Sequence, residues 1–377
     1  MDKIHPLLDK AKQTQAKRYE KEKRLLGLVG AVLSLVILIA FYYSGLSTWL
    51  SNLQIGNSII WTFLLYMNSL YILSTLLGLP LAFYTSYLHE HKWNFSNHTV
   101  KSWSWEKLKS FLLGLILMIL LLGLLFWIMG FTPRYWWLIA GLTMAVVSVI
   151  FATLFPVVIL PIFNKYTPIQ SAELTEALEK ILSREGLKSG GFFMEDKSRQ
   201  TKKENAFLAG LGKTRRVVLA DNLMKNMSVS EIESIIAHEV GHYKFKHIWK
   251  SIALGTLQQL IVFYVLNKTM IWIFPQFLAS TEWNLALFPF FIIFLTVIST
   301  FLFGPLSQAI SRHFEREADR ISLQMIEDKK AFLTAMSGLA DRNLLNAYPE
   351  WWVKLLYYSH PPIGERLAMA ENFIKKI

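Results

Sequence analysis

The chain has 377 residues, of which 53% are hydrophobic, 14% aromatic and only 18% charged. Soluble domains carry about a quarter charged residues, and a mean hydropathy of +0.34 excludes an ordinary soluble domain in favour of a polytopic membrane protein. The net charge of +12 suits basic loops against anionic headgroups, so nucleic acid is set aside as a partner. The absence of cysteine excludes disulfides, thiolate metal ligands and cysteine nucleophiles.

Residues 1–25 are polar and dense in charge, ending Lys21-Glu-Lys-Arg24, and predict a solvated basic segment. Six apolar runs follow, at Leu25–Tyr43, Ile59–Tyr87, Phe111–Phe131, Trp136–Ile162, Ile248–Phe274 and Leu285–Leu306. Each is long enough to span a bilayer. No small-residue cleavage site follows the first run, which predicts an uncleaved helix.

Loop charge alternates along the chain. The connection Ser44–Ser58 has no Lys or Arg, the next on that side only Arg134, and the last only Glu282 as a charge. The N-terminal segment, Lys92–Lys109, the insert Lys165–Lys246 and the C-terminal tail are basic. The positive-inside rule therefore puts both termini and the insert in the cytoplasm, at the inner membrane of a bacterium or the endoplasmic reticulum of a eukaryote. Trp136-Trp137 and Trp351-Trp352, near span ends, predict interfacial anchors.

The fold class that follows is a predominantly helical transmembrane bundle of six to seven spans with a small cytoplasmic α+β subdomain. Its expected division is 1–165, a basic segment plus four spans, and 166–377, which holds the other two spans and the C-terminal helices. In the insert, Leu174, Ala177, Leu178, Ile181 and Leu182 form one helical face, stopped by Gly186 and Gly190-Gly191. Asn205-Ala-Phe-Leu-Ala and Arg216-Val-Val-Leu-Ala predict two short strands joined across Gly210-Leu-Gly-Lys-Thr214 as a hairpin.

The chemistry begins at His238-Glu239-Val240-Gly241-His242. Two histidines four apart on a helix share a face, so both imidazoles can reach one metal ion. Glu239 sits beside that face and can take a proton from the attacking water. Ser230 with Glu233 predicts a capping box, and Ile232, Ile235, Ile236 and Val240 keep helical spacing. The plain alternative is a surface helix that happens to carry two histidines.

A catalytic zinc holds three protein groups and keeps one position open. The third candidate is Glu315, in Ser311-Arg-His-Phe-Glu-Arg-Glu-Ala-Asp-Arg320. The fifth span leaves just after His242 and the sixth returns just before Glu315, so both segments end at one membrane face. Asp319, four residues on, lies on the same helical face as Glu315 and can accept an N–H from a ligand histidine, whereas Glu317 points away. Asn205-Ala-Phe-Leu-Ala could pair with an extended peptide over the metal. His360, in His360-Pro-Pro-Ile-Gly-Glu-Arg366, could stabilise an oxyanion. His89, His91, His98, His247 and His313 read as loop or interfacial residues.

Several stretches together resemble the CAAX prenyl endopeptidases, multispan membrane zinc metalloproteases related to the HtpX-type proteases. They are Phe155-Pro-Val-Val-Ile-Leu-Pro-Ile-Phe-Asn-Lys165, Glu204-Asn-Ala-Phe207, Arg216-Val-Val-Leu219, His238–His242, Glu315-Arg-Glu-Ala-Asp319 and Tyr358-Ser-His-Pro-Pro362 with Arg366. The resemblance implies one zinc per chain on His238, His242 and Glu315, Glu239 as general base and Asp319 behind a ligand. It also implies Asn205 as a substrate contact, and His360 with Arg366 as transition-state, substrate or structural support. Its substrates would be peptides or proteins, prenylated near the C-terminus in the CAAX type. The alternatives are HtpX-type quality control of membrane proteins, or a membrane protein that binds zinc or lipopeptides without cutting. Family members often have seven spans, and Arg316-Glu317 is more charged than usual for the motif. The oligomeric state is left open.

Overall fold

The computed structural model describes residues 4–376 apart from 54, 57, 188–189, 211–215 and 280–281. Among these, six helices are long and apolar enough to cross a membrane. Four come first: α1 (Lys10–Tyr43), α2 (Ile59–Lys92), α3 (Val100–Phe131) and α4 (Trp136–Phe163). An insert follows with α5 (Ala172–Arg184) and α6 (Val229–Lys244). The last two spans are α7 (His247–Ile273) and α8 (Leu285–Met325). Three helices close the chain: α9 (Lys329–Arg342), α10 (Trp351–Tyr357) and α11 (Ile363–Ile374). Between 6% and 33% of each span's most apolar window is buried within the chain, so most of that surface is left for lipid.

The two sets of connections collect at opposite ends of the bundle. At one end Ser47 Oγ donates to the Ala286 carbonyl (2.8 Å), and Leu50, Trp136, Phe277 and Trp283 share one buried cluster. Trp136 is fully buried, its indole N–H donating to Asn267 Oδ1 at 2.8 Å. It is thus a packing residue and not the interfacial anchor its position suggests. At the other end the basic connections meet the insert. Ser96 pairs with Thr201 in an isolated bridge, and the Lys202 N–H donates to the Phe95 carbonyl (2.9 Å).

The N-terminal segment is not a free solvated arm. Capped by Asp9, it forms the first turns of the unbroken α1 and buries Gln13, Ala16 and Tyr19. Gln13 accepts from the Ala347 N–H (3.0 Å), and the Tyr19 hydroxyl donates to Glu90 (2.6 Å). His89, expected as a loop or interfacial residue, is buried there too, stacked on Tyr19 and 3.1 Å from Glu22 Oε2.

In the insert a four-stranded sheet is built from β1 (Tyr166–Pro168), β2 (Phe192–Glu195), β3 (Ala206–Ala209) and β4 (Arg216–Ala220), in the order β1-β2-β4-β3. The two strands expected from sequence pair antiparallel, Phe207 opposite Val218. Their expected turn at Leu211–Thr214 lies outside the described residues. β3 is an edge strand among the described residues. One core joins α5 (Leu174, Leu178), α6 (Ile232, Ile236, Val240), the end of α8 (Ile321, Leu323), α9 and α11. It fixes the insert against the last span.

Candidate metal centre

The site rests on two helices in backbone contact. α6 begins at Val229, and its capping box is Ser228 with Glu231, two residues earlier than the Ser230–Glu233 pair expected from the sequence. Both frames fit the same local pattern; only in the first does the glutamate reach back to the capping backbone. α6 then packs against α8 so closely that Ser322 Oγ donates to the Ser234 carbonyl at 2.6 Å.

This contact brings His238, His242 and Glu315 together, with one ligand atom from each lying within 4.8 Å of the others. His238 Nε2 is 3.2 Å from Glu315 Oε2, and His242 Nε2 is 3.4 Å from Glu315 Oε1. The two Nε2 atoms are only 3.2 Å apart. Two imidazole nitrogens facing each other beside a carboxylate are satisfied by a proton or by a shared cation. Glu315 Oε2 is buried with His238 Nε2 facing it at 3.2 Å, and with a neutral His238 protonated on Nδ1 both atoms are acceptors, a costly arrangement unless a cation lies between them. The donor set, two imidazoles and one carboxylate, suits a zinc-type catalytic centre.

Asp319 is fully buried and accepts from His238 Nδ1 at 2.8 Å. That bond puts the His238 proton on Nδ1 and turns the Nε2 lone pair to the centre. Arg366, also buried, donates Nε to Asp319 Oδ2 at 2.9 Å. Its guanidinium therefore lies on the Nδ1 side of His238, opposite the nitrogen that faces Glu315. Burial alone would lower the His238 pKa, but hydrogen bonds to Asp319 and Glu315 outweigh it and raise it to about 9 in the metal-free protein.

Glu239 is half-buried and faces β3, with the Leu208 N–H 3.4 Å from its Oε2. The edge strand and α6 thus meet at this carboxylate. Asn205 precedes the strand; its carbonyl accepts from Ala220 (3.0 Å) and its side chain is exposed. His360 comes from the segment between α10 and α11, with Nε2 3.3 Å from Glu315 Oε1 and a half-exposed ring. Arg312 holds that segment in place, donating to the carbonyls of Lys354 (2.9 Å) and Tyr358 (2.6 Å).

Sequence reasoning missed two residues. His247 is buried and its Nδ1 lies 3.0 Å from His242 Nδ1. Glu317, expected to point away, reaches the other nitrogen of His247 at 3.0 Å. A third histidine five residues past His242 was the available signal.

Residues 2–165 match a family model described as the CAAX prenyl protease N-terminal, five membrane helices, and residues 168–374 match peptidase family M48. The chain belongs to the CAAX prenyl protease family of membrane metalloproteases. It is 30% identical to CAAX prenyl protease 1 of Saccharomyces cerevisiae, over 83% of this chain and 73% of that one. To the uncharacterized metalloprotease YhfN of Bacillus subtilis it is 28% identical, over 95% of this chain and 85% of that one. The crystal structure of S. mikatae Ste24p superimposes with a TM-score of 0.84 at 25% identity, covering 97% of this chain and 91% of that chain. The chain is a multi-pass membrane metalloendopeptidase. Where the first family model is described with five membrane helices, the matched region here has four of membrane length among its described residues.

Proposed function

We propose that this metalloendopeptidase is of the HExxH-plus-glutamate type, with His238, His242 and Glu315 holding one zinc. Bound zinc supplies Lewis acidity, lowering the pKa of water towards neutrality and polarising the scissile carbonyl. Glu239 acts as general base, taking the proton of the attacking water and passing it to the leaving amine. Asp319 fixes the tautomer of His238, and Arg366 holds Asp319. His360 reaches the same side and steadies the oxyanion, while Asn205 anchors the substrate strand.

The observation that carries this reading is the 3.4 Å approach of the Leu208 N–H to Glu239 Oε2. A peptide added to the free edge of β3 would run past the base and the three converging ligands, and backbone pairing would hold it there. The two units are residues 1–165 and 166–377, and the site faces the cytoplasm, because the basic connections gather at its end of the bundle.

The substrates we infer are peptides prenylated near the C-terminus, as the names of the relatives suggest. Two matched peptides, one farnesylated and one not, test this with zinc-loaded protein. Faster cutting of the farnesylated peptide is expected. Equal cutting of both would replace this substrate class with broad proteolysis of membrane proteins, and cutting of neither would remove prenylated C-terminal peptides as its substrates.

A further inference from the structure

Each metal-facing histidine has a second ring nitrogen, and both of these nitrogens have partners. For His238 the partner is Asp319, directly, at 2.8 Å. For His242 it is a relay: His242 Nδ1 lies 3.0 Å from His247 Nδ1, and His247 Nε2 lies 3.0 Å from Glu317 Oε2. Counting donors and acceptors fixes the direction of the chain. With its Nε2 turned to Glu315 and His238, a neutral His242 carries its proton on Nδ1. His247 Nδ1 then accepts, His247 Nε2–H donates, and the Glu317 carboxylate accepts at the end.

The surroundings hold His247 in this pose. Its ring is 3% exposed and stacks on Phe314 (4.3 Å, 12°), with Phe245 on the other contact (5.7 Å, 24°). Lys246 takes a left-handed conformation, φ +55°, and so turns the chain from the end of α6 into the first residue of α7. That sharp turn sets His247 back against His242. Glu317 projects from α8, two residues from both Glu315 and Asp319. Its Oε2 is also 3.8 Å from the exposed His313.

We propose that His247 and Glu317 are positioning residues for the metal, holding His242 with its Nε2 lone pair on the centre as Asp319 does for His238. The relay also ties that ligand to the two membrane spans, α7 and α8, that bracket the site. The proposal rests on His238, His242 and Glu315 being the metal ligands.

The test uses the full chain in detergent. Zinc affinity is measured by competition with a chelator, and ligand geometry by the visible spectrum of the cobalt(II)-substituted protein. His247→Phe keeps the stacking and removes the relay. Its zinc affinity is expected to fall by about 10–100-fold, with shifted cobalt bands. Glu317→Gln still accepts from His247 but without charge, so a smaller loss in the same direction is expected. Wild-type affinity and cobalt bands in His247→Phe would overturn the proposal, whatever its thermal stability, because a packing role alone moves neither. Should that variant not fold, unchanged affinity and bands in Glu317→Gln overturn it instead. Wild-type protein that takes up no zinc, or normal uptake by Glu315→Ala, would overturn the ligand set itself, a failure distinct from that of the relay.

Discussion

Gly241 and Ala318 meet backbone to backbone: a methyl group on Gly241 would lie 2.8 Å from the Ala318 Cα and 3.1 Å from its carbonyl oxygen. The glycine of the HExxH segment is therefore where the histidine helix reaches the helix of Glu315 and Asp319. Alanine in a helix is ordinarily about 1 kcal/mol better than glycine. At this position the clash should reverse the sign, costing about 1–3 kcal/mol as overpacking does, and should lower zinc content. Gly255→Ala on α7, where a methyl meets nothing within 4 Å, is the control and should be neutral or stabilising. Thermal unfolding with metal analysis reads both.

Asp319 serves two buried partners, His238 and Arg366. Asp319→Ala leaves the guanidinium buried and unpaired, and should cost roughly 3–5 kcal/mol. Adding Arg366→Met to Asp319→Ala should restore part of that stability, because the buried, unpaired guanidinium is then gone. It should not restore zinc affinity, because His238 still lacks its acceptor. Recovery of both would assign Asp319 to folding alone.

The metal-free site should bind zinc in competition with protons. His238 keeps its proton up to about pH 9, chiefly because hydrogen bonds to Asp319 and Glu315 outweigh its burial. The metal needs the neutral imidazole, so apparent affinity should fall as pH drops below about 9, by about tenfold per unit for the one proton displaced. Above that pH this slope disappears. For metal-free protein the sign is opposite: a raised histidine pKa stabilises the fold at low pH, and that contribution is lost as pH rises through about 9. Zinc titrations at several pH values check the slope, and a flat profile between pH 6 and 8 would contradict the assignment.

Much of this was legible in the sequence, for identifiable reasons. The six spans follow from apolar length, and the two ends of the bundle from where lysine and arginine fall. The proposed ligand pair His238 and His242 is a local spacing, and the placement of Glu315 beside it follows from the topology of the two spans between them. What failed was non-local. Gln13 and Tyr19 sit in a charge-dense run, and their partners come from distant parts of the chain, Ala347 for Gln13 and Glu90 for Tyr19. The β1 and β2 strands are three and four residues long, too short to show a period. His247 looked idle because its partner Glu317 follows only after the span α7 and most of α8.

Arg312 offers a test of how His360 is held. Its guanidinium donates to two carbonyls flanking the Lys354–Tyr358 stretch, at 2.9 and 2.6 Å. Arg312→Ala should free the segment that carries His360 while leaving the three ligands in place. A displaced catalytic group costs on the order of 10²-fold, so kcat should fall to that degree with zinc content unchanged. Loss of zinc instead would show that Arg312 holds the ligand helix rather than the His360 segment.

The most direct measurement is the Glu239→Gln variant, assayed for zinc content and for peptide cleavage side by side with wild type. Glutamine keeps the size and the contact with β3 but cannot take the proton. The account predicts one zinc per chain, unchanged affinity and cleavage lost by at least about 10²-fold, the lower range for a general base. Cleavage at the wild-type rate with zinc bound would contradict it, because the base would then lie elsewhere in the site.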